Sequence, residues 1–554
     1  MAIHIKRIVF LLLHIFVLQN EAQENDLVVT IKNGKILGSK NATVDNNKVY
    51  YSFRGIPYAE PPVGDLRFSS PVPRKNWTGI LNATVDRSIC PQRKAEGSED
   101  CLFISVYTTN LRGSKPIPVM VWIYGGFFQE GDSRYSSYGP DYFLDQDVVV
   151  VTFNYRVSVF GFLSTQDAAA SGNWGLKDQI LALHWVKDNI KYFGGDPKRV
   201  TIFGESAGSA SVSYLLQTHL AKGLFRGAIM ESGTSLDLWA LSRHPRSTAF
   251  HLGTTLGILT TNSTTLIKRL RGYDYKAVEL ASTAVELAEW TLTNPRNGLI
   301  FAPAEEPNFN DSVVLNKSHQ KLNNGKFNRV PMIVGFNSQE GLPFADVLEK
   351  VRAYLLTFDL NPERLIPVDM NVDPADRPTV ARKIKAHYFG LRPVSLSDKN
   401  LIQYITDDQF ARPINEAVRL MSNYAKVYYY RFSYVGRLGL SVGDPQRSSP
   451  GVGHAEDLHY LWRQSVNIKN PSKDDLLTRQ RLIKLWTNFA KTLNPTPKPD
   501  PVLQNVTWTR ATPRTQYYLD IGKNVSVETN LSSYSIDWWR ELYNEYGNPP
   551  YDTY

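Results

Sequence analysis

Cysteine is nearly missing from this chain: 554 residues hold only Cys90 and Cys101, which leaves room for one disulfide at most. Between residues 30 and 545 there is no long Pro/Ser run, charge block or repeat, so a string of linked modules is excluded in favour of one large domain. The net charge of +9 is spread without a basic stripe, which argues against a nucleic-acid partner. No apolar run reaches the ~18–20 residues that a bilayer span requires, so no stable membrane anchor is expected. The polar, aromatic stretch Pro549-Pro550-Tyr551-Asp552-Thr553-Tyr554 likewise lacks the apolar tail of a lipid-anchor signal.

What is present begins with an address. Lys6 and Arg7 precede the eleven-residue apolar run Ile8 to Leu18, broken only by His14 and followed by polar Gln19 to Gln23. This order is that of a secretory signal peptide, assigned to residues 1–22, with the domain proper over 23–554. Sequons at Asn41, Asn76, Asn82, Asn262, Asn310, Asn316, Asn505, Asn524 and Asn530 agree with a secreted, extracellular glycoprotein. In an oxidising compartment Cys90 and Cys101, with ten residues between them, would pair; two buried free thiols are the alternative.

The chain is organised around Val200-Thr201-Ile202-Phe203-Gly204-Glu205-Ser206-Ala207-Gly208. A β-branched and aromatic run reads as a buried strand, and Ala207 to Leu216 reads as a helix. Gly-x-Ser-x-Gly between them places a serine on a sharp strand-to-helix turn, where only tiny neighbours fit. The helix then aims its positive end at Ser206, which suits a developing oxyanion.

The flanking pattern is α/β. Leu27 to Ile31 and Lys35 to Leu37 read as a hairpin about Asn33-Gly34, and Phe53 to Pro62 as a rigid Pro-rich loop. Strand-like runs at Leu102 to Tyr107, Ile117 to Tyr124 and Val148 to Tyr155 precede a helical Leu176 to Phe193. Further strands are read at Gly227 to Met230, Val330 to Phe336 and Val427 to Tyr434, with helical segments over 240–325 and 345–420 as caps. Alternating strands and helices predict a mostly parallel central sheet.

A serine nucleophile needs a base, an acid and an oxyanion hole. His454 lies in the Gly-rich loop Gly451 to Asp457, which follows the predicted strand Val427 to Tyr434, in a position where catalytic groups project. His459 is the runner-up, and His387 sits in a predicted helix. Glu340 is the one acidic residue in the loop after the strand Val330 to Phe336, well placed to hold an imidazole Nδ1–H. Gly125-Gly126-Phe127-Phe128 follows a strand, so its backbone N–H groups can turn inward beside that of Ala207.

These residues resemble a known family. Glu99-Asp100-Cys101-Leu102, Tyr155-Arg156 through Phe160-Gly161-Phe162, Gly175-Leu176-Lys177-Asp178-Gln179, Phe193-Gly194-Gly195-Asp196-Pro197 and Gly204 to Gly208 look like the type-B carboxylesterases, the cholinesterase-like α/β-hydrolases. The match runs from about residue 28 onward and is most similar to secreted insect carboxylesterases. The resemblance implies an α/β-hydrolase fold and a triad of Ser206, Glu340 and His454. It also implies oxyanion donors at Gly126, Phe127 and Ala207, a Cys90–Cys101 disulfide, and pocket aromatics at Phe128 and Trp239. It calls for no metal or cofactor and for a small-molecule ester as partner, acted on by a monomer or homodimer.

Departures from the family pattern narrow this. Phe127 stands where glycine or alanine is usual, and Ser158 where glycine is usual. The Cys90 to Cys101 loop has no tryptophan of the kind that stacks on choline, which argues against a cholinesterase. Glu205 stands where juvenile-hormone esterases usually carry glutamine. The expected function is a secreted serine carboxylesterase working through an acyl-enzyme. A slow, ester-sequestering esterase and a non-catalytic adhesion relative are the alternatives.

Overall fold

The computed structural model describes residues 27–292, 298–348, 350–439, 451–465, 470–529, 531 and 534–554. The expected signal peptide, residues 1–22, and Asn530 lie outside them. The strands are β1 (Val28–Ile31), β2 (Gly34–Leu37), β3 (Ser39–Ala42), β4 (Val49–Pro57), β5 (Ile80–Asn82), β6 (Phe103–Thr108), β7 (Ile117–Ile123), β8 (Val149–Phe153), β9 (Gly195–Glu205), β10 (Gly227–Glu231), β11 (Met332–Asn337), β12 (Val427–Phe432), β13 (Tyr518–Ile521) and β14 (Val525–Glu528).

Eleven strands form one sheet in the order β14-β13-β12-β11-β10-β9-β7-β8-β6-β4-β3, and β1, β2 and β5 form a small one. From β13 across to β8 every neighbouring pair is parallel, while β14, β6, β4 and β3 join antiparallel. Parallel strands need helices on both faces and are therefore apolar on both. β8, β10 and β11 are buried at every residue. The helices used below are α1 (Ser158–Phe162), α2 (Trp174–Asn189), α3 (Ala207–Gln217), α4 (Tyr275–Leu292), α5 (Asp398–Thr406), α6 (Arg412–Met421), α7 (Lys473–Thr492) and α8 (Ile536–Tyr546).

Three sequence expectations are corrected. Phe53 to Pro57 is not loop but the end of β4, whose register against β6 shifts between Phe53 and Ile56, with Gly55 at φ 73° between them. A bulge of this kind lets an edge-proximal strand accommodate Gly and Pro. The first hairpin turns at Lys32-Asn33, with Gly34 already paired to Ile31. The strand before Ser206 begins at Gly195, well upstream of Val200.

Because β7, β9, β10, β11 and β12 run the same way, their carboxyl ends share one edge of the sheet. The segments leaving that edge are Tyr124 to Phe128, Ser206, Ser232, Asn337 to Gly341 and, further along the chain, Gly451 to Asp457. Ligand sites of open α/β sheets lie at such edges.

Candidate active site

Ser206 is the one residue between β9 and α3, held at φ 56°, ψ −123°. Its backbone N–H donates to the Glu231 carbonyl at 2.8 Å, tying the turn to β10. The turn closes only because its neighbours are small. A Cβ on Gly208 would collide with the Ile123 carbonyl oxygen, and one on Gly125 would lie 2.9 Å from the Ser206 Cβ.

The expected base and acid, His454 and Glu340, arrive on two interlocked loops. His454 Nε2 is 2.8 Å from Ser206 Oγ, and His454 Nδ1 is 2.7 Å from Glu340 Oε2. A carboxylate can only accept, so Nδ1 carries the proton and the Nε2 lone pair faces the serine hydroxyl. The other Glu340 oxygen accepts the Asn337 N–H at 2.6 Å, fixing the carboxylate plane. Asn337 Nδ2 donates to the Gly453 carbonyl at 2.9 Å, and Gln339 N–H to the Val452 carbonyl at 2.8 Å, so the acid loop carries the histidine loop with it. His459 and His387, the other histidines considered, are elsewhere: His459 in the short helix Leu458–Leu461, and His387 stacked on Trp538 at 4.0 Å.

Beside the serine are unengaged donors. Among the described residues, no protein acceptor takes the N–H of Gly126, Phe127 or Ala207. Phe127 and Phe128 are held at φ 56° and 60°, where a bulky side chain is strained. That turn is anchored by the Ser158 N–H, which donates to the Phe128 carbonyl at 2.6 Å. Ser158 itself has φ 53°, which explains the usual glycine at that position.

Reading by sequence missed an acidic environment behind the histidine. Glu205, buried to 3 % exposure, places Oε1 3.2 Å from His454 Nε2. Burial pushes the Glu205 carboxyl up to about 8, with His454 partly offsetting it. Burial alone would depress the His454 imidazole, but Glu205 and the hydrogen-bonded Glu340 outweigh it and carry it up to about 9. Glu231 is raised by burial, with its carboxyl bonded to Trp486 Nε1 at 2.6 Å, and Asp457 is pushed up to about 6, again by burial first. Only Glu205 carried a local signal, its place inside the Gly-x-Ser-x-Gly pentapeptide.

The aromatic surroundings differ in part from expectation. Trp239 packs by the elbow, since a Cβ on Gly233 would sit 3.1 Å from its ring and 2.6 Å from the Ser206 carbonyl oxygen. Phe128 is fully buried, 5.1 Å from Phe162 and 6.4 Å from Trp239. Around His454 and Phe127 stand two further rings that the sequence did not reveal. Phe410, on the π-helical turn Asp407–Ala411 between α5 and α6, stands 4.8 Å from the His454 ring, and Phe344 stands 6.5 Å from Phe127.

Cys90 and Cys101 form a disulfide. Asn41, Asn76, Asn82, Asn262, Asn310, Asn316, Asn505 and Asn524 are all exposed. Among the described residues no helix is long and apolar enough to cross a membrane, and no group of three or more His, Cys, Asp or Glu side chains is placed to hold a metal ion.

The carboxylesterase family model matches residues 25–539. The chain is 36% identical over 525 residues to a juvenile hormone esterase of Tribolium castaneum, covering 87% of this chain and 85% of that one. It is 33% identical to venom carboxylesterase-6 of Apis mellifera, covering 90% and 92%. Among solved structures, juvenile hormone esterase from Manduca sexta with OTFP covalently attached superposes with a TM-score of 0.84 at 29% identity, covering 94% of this chain and 99% of that one. The large, mostly parallel sheet is that of an α/β-hydrolase, and the chain belongs to the carboxylesterase family as a carboxylic ester hydrolase.

Proposed function

We propose that this protein is a secreted, glycosylated serine esterase that works through an acyl-enzyme on Ser206. The observation that carries the reading is one continuous line of hydrogen bonds, Ser206 Oγ to His454 Nε2 and His454 Nδ1 to Glu340, ending beside three unengaged backbone N–H groups. Ser206 Oγ bonds to the ester carbonyl carbon while its proton passes to His454 Nε2. The carbonyl oxygen, now anionic, is held by the N–H groups of Gly126, Phe127 and Ala207. The alcohol C–O bond breaks and the alcohol leaves with the proton from His454. Water, deprotonated by the same nitrogen, then attacks the acyl carbon and releases the acid and Ser206. Glu340 holds the imidazolium in place through its Nδ1–H. The Manduca sexta structure carries its ligand covalently, as an enzyme with an accessible nucleophile would.

The test is hydrolysis of p-nitrophenyl butyrate with and without a fluorophosphonate probe. Ser206→Ala is expected to lose both labelling and turnover, leaving at most the ~10³–10⁴-fold residual over water of triad knockouts. Undiminished turnover in that variant would end the mechanism.

A further inference from the structure

We propose that Phe127 sets the size of the alcohol released, confining efficient turnover to esters of small, unbranched alcohols. The proposal rests on the esterase reading above and adds the substrate class. The leaving oxygen takes its proton from His454 Nε2, so it must come within hydrogen-bond reach, about 3 Å, of that nitrogen. Whatever flanks the imidazole therefore flanks the leaving alkoxy group. Two phenyl rings do so: Phe410 with its centroid 4.8 Å from the imidazole, and Phe127 at 6.4 Å. Phe344 closes on Phe127 edge-on at 6.5 Å, so the wall on that side is two rings deep.

The backbone that carries the Phe127 ring is held in place. It sits at φ 56° between Gly126, whose carbonyl accepts the Gln129 and Glu130 N–H groups at 2.9 and 3.1 Å, and Phe128, which is fully buried. The same residue offers its N–H to the oxyanion and its ring to the alcohol, so position and size selection are rigidly coupled. The acyl chain has a different boundary. Trp239, reached past Gly233 on the carbonyl side of Ser206, is 6.0 Å from Phe410 and has no ring contact with Phe127. A ring in place of a hydrogen at residue 127 thus narrows the alcohol side alone.

The experiment is kcat/KM for the methyl, ethyl, isopropyl and tert-butyl esters of one acid, with the wild type, Phe127→Gly and Phe344→Ala. Glycine is at ease at this φ and keeps the N–H, and Phe344→Ala opens the same wall without touching the oxyanion donors. The native enzyme is expected to favour methyl over isopropyl by about 10–100-fold, the range one or two misfitting carbons command. Phe127→Gly is expected to recover most of that ratio, Phe344→Ala part of it, and the order among methyl esters of short and long acids should hold. Native enzyme that turns over isopropyl and methyl esters equally, or a ratio unmoved in both variants, overturns the proposal and leaves the esterase intact. Silence toward every ester, methyl included, overturns the esterase reading itself.

Discussion

At the scale of the residue, the telling contact is Glu205 against His454, because it acts on the group that the proposed mechanism uses as its base. His454 serves as base only when Nε2 is unprotonated, so a pKa carried up to about 9 places the acid limb of kcat/KM on the alkaline side of an ordinary histidine. Glu205→Gln removes the foremost group holding that proton while keeping the shape. The limb is expected to move toward lower pH; a limb that stays where it was would mean that Glu340 alone sets it. How much of this was readable follows from locality. Ser206, Glu340 and His454 each stand on a loop just past a strand or inside a short motif, so residue type and neighbours suffice to find them. Phe410 and Phe344 have no such mark: Phe410 reaches the site on a helical insertion and Phe344 on the short turn after Glu340, from positions separated from Ser206 by 204 and 138 residues. Phe127 was legible as an oddity, but its left-handed backbone and its ring partners belong to three dimensions.

At the scale of the element, the sheet is held to its covering helices by buried polar ties. Arg156, just past β8, donates through Nε and Nη2 to Asp178 of α2 at 2.8 and 2.7 Å, and its backbone N–H donates at 3.0 Å to the same carboxylate. Their side chains are 3% and 0% exposed, so neither charge has water to fall back on. Asp178→Asn leaves a buried guanidinium without its counter-charge and is expected to cost about 3–5 kcal/mol, read from the denaturant midpoint. A loss near zero would show that water enters the gap. The exposed pair Lys32–Asp188 is no such tie, since solvent screens both partners. The elements themselves were legible where burial is two-sided. β7, β8, β10 and β11 are continuous apolar runs because both faces are covered. β13 and β14 escaped notice: each is four residues long, and β14 alternates Val-Ser-Val-Glu at the sheet edge, too brief a pattern to separate from loop. β4 was hidden by Gly55 and Pro57, which ordinarily end a strand and here only bend it.

At the scale of the whole molecule, the question is what holds the helical insertions over the sheet edge, since their rings line the site. The disulfide loop takes one, with Tyr275 Oη donating to the Gly97 carbonyl at 3.0 Å and Arg93 meeting Glu286 of α4 at 3.2 Å. Tyr551 to Tyr554 takes several at once. Asp552 pairs with Lys317 at 2.6 Å, Thr553 Oγ donates to Asp369 at 2.6 Å and accepts from Arg243 at 2.7 Å, and Tyr554 N–H donates to the Leu236 carbonyl at 2.9 Å. The Tyr554 ring lies 4.4 Å from Tyr543 of α8, stacks on His319 at 5.5 Å and faces the buried Arg412 of α6 at 5.6 Å. One side chain thus joins three separate segments, and Leu236 links it to the loop that carries Trp239. Tyr554→Ala opens a cavity between Tyr543, His319 and Arg412, and about 3 kcal/mol of stability should go with it. Leu391→Ala is the matched control: that side chain is 101% exposed, and its loss should stay within about 0.5 kcal/mol. If the segment braces the insertions, Tyr554→Ala also weakens fluorophosphonate labelling of Ser206 at temperatures below global unfolding, because the rings around His454 loosen first. Equal melting of the two variants would instead mean that the insertions hold themselves.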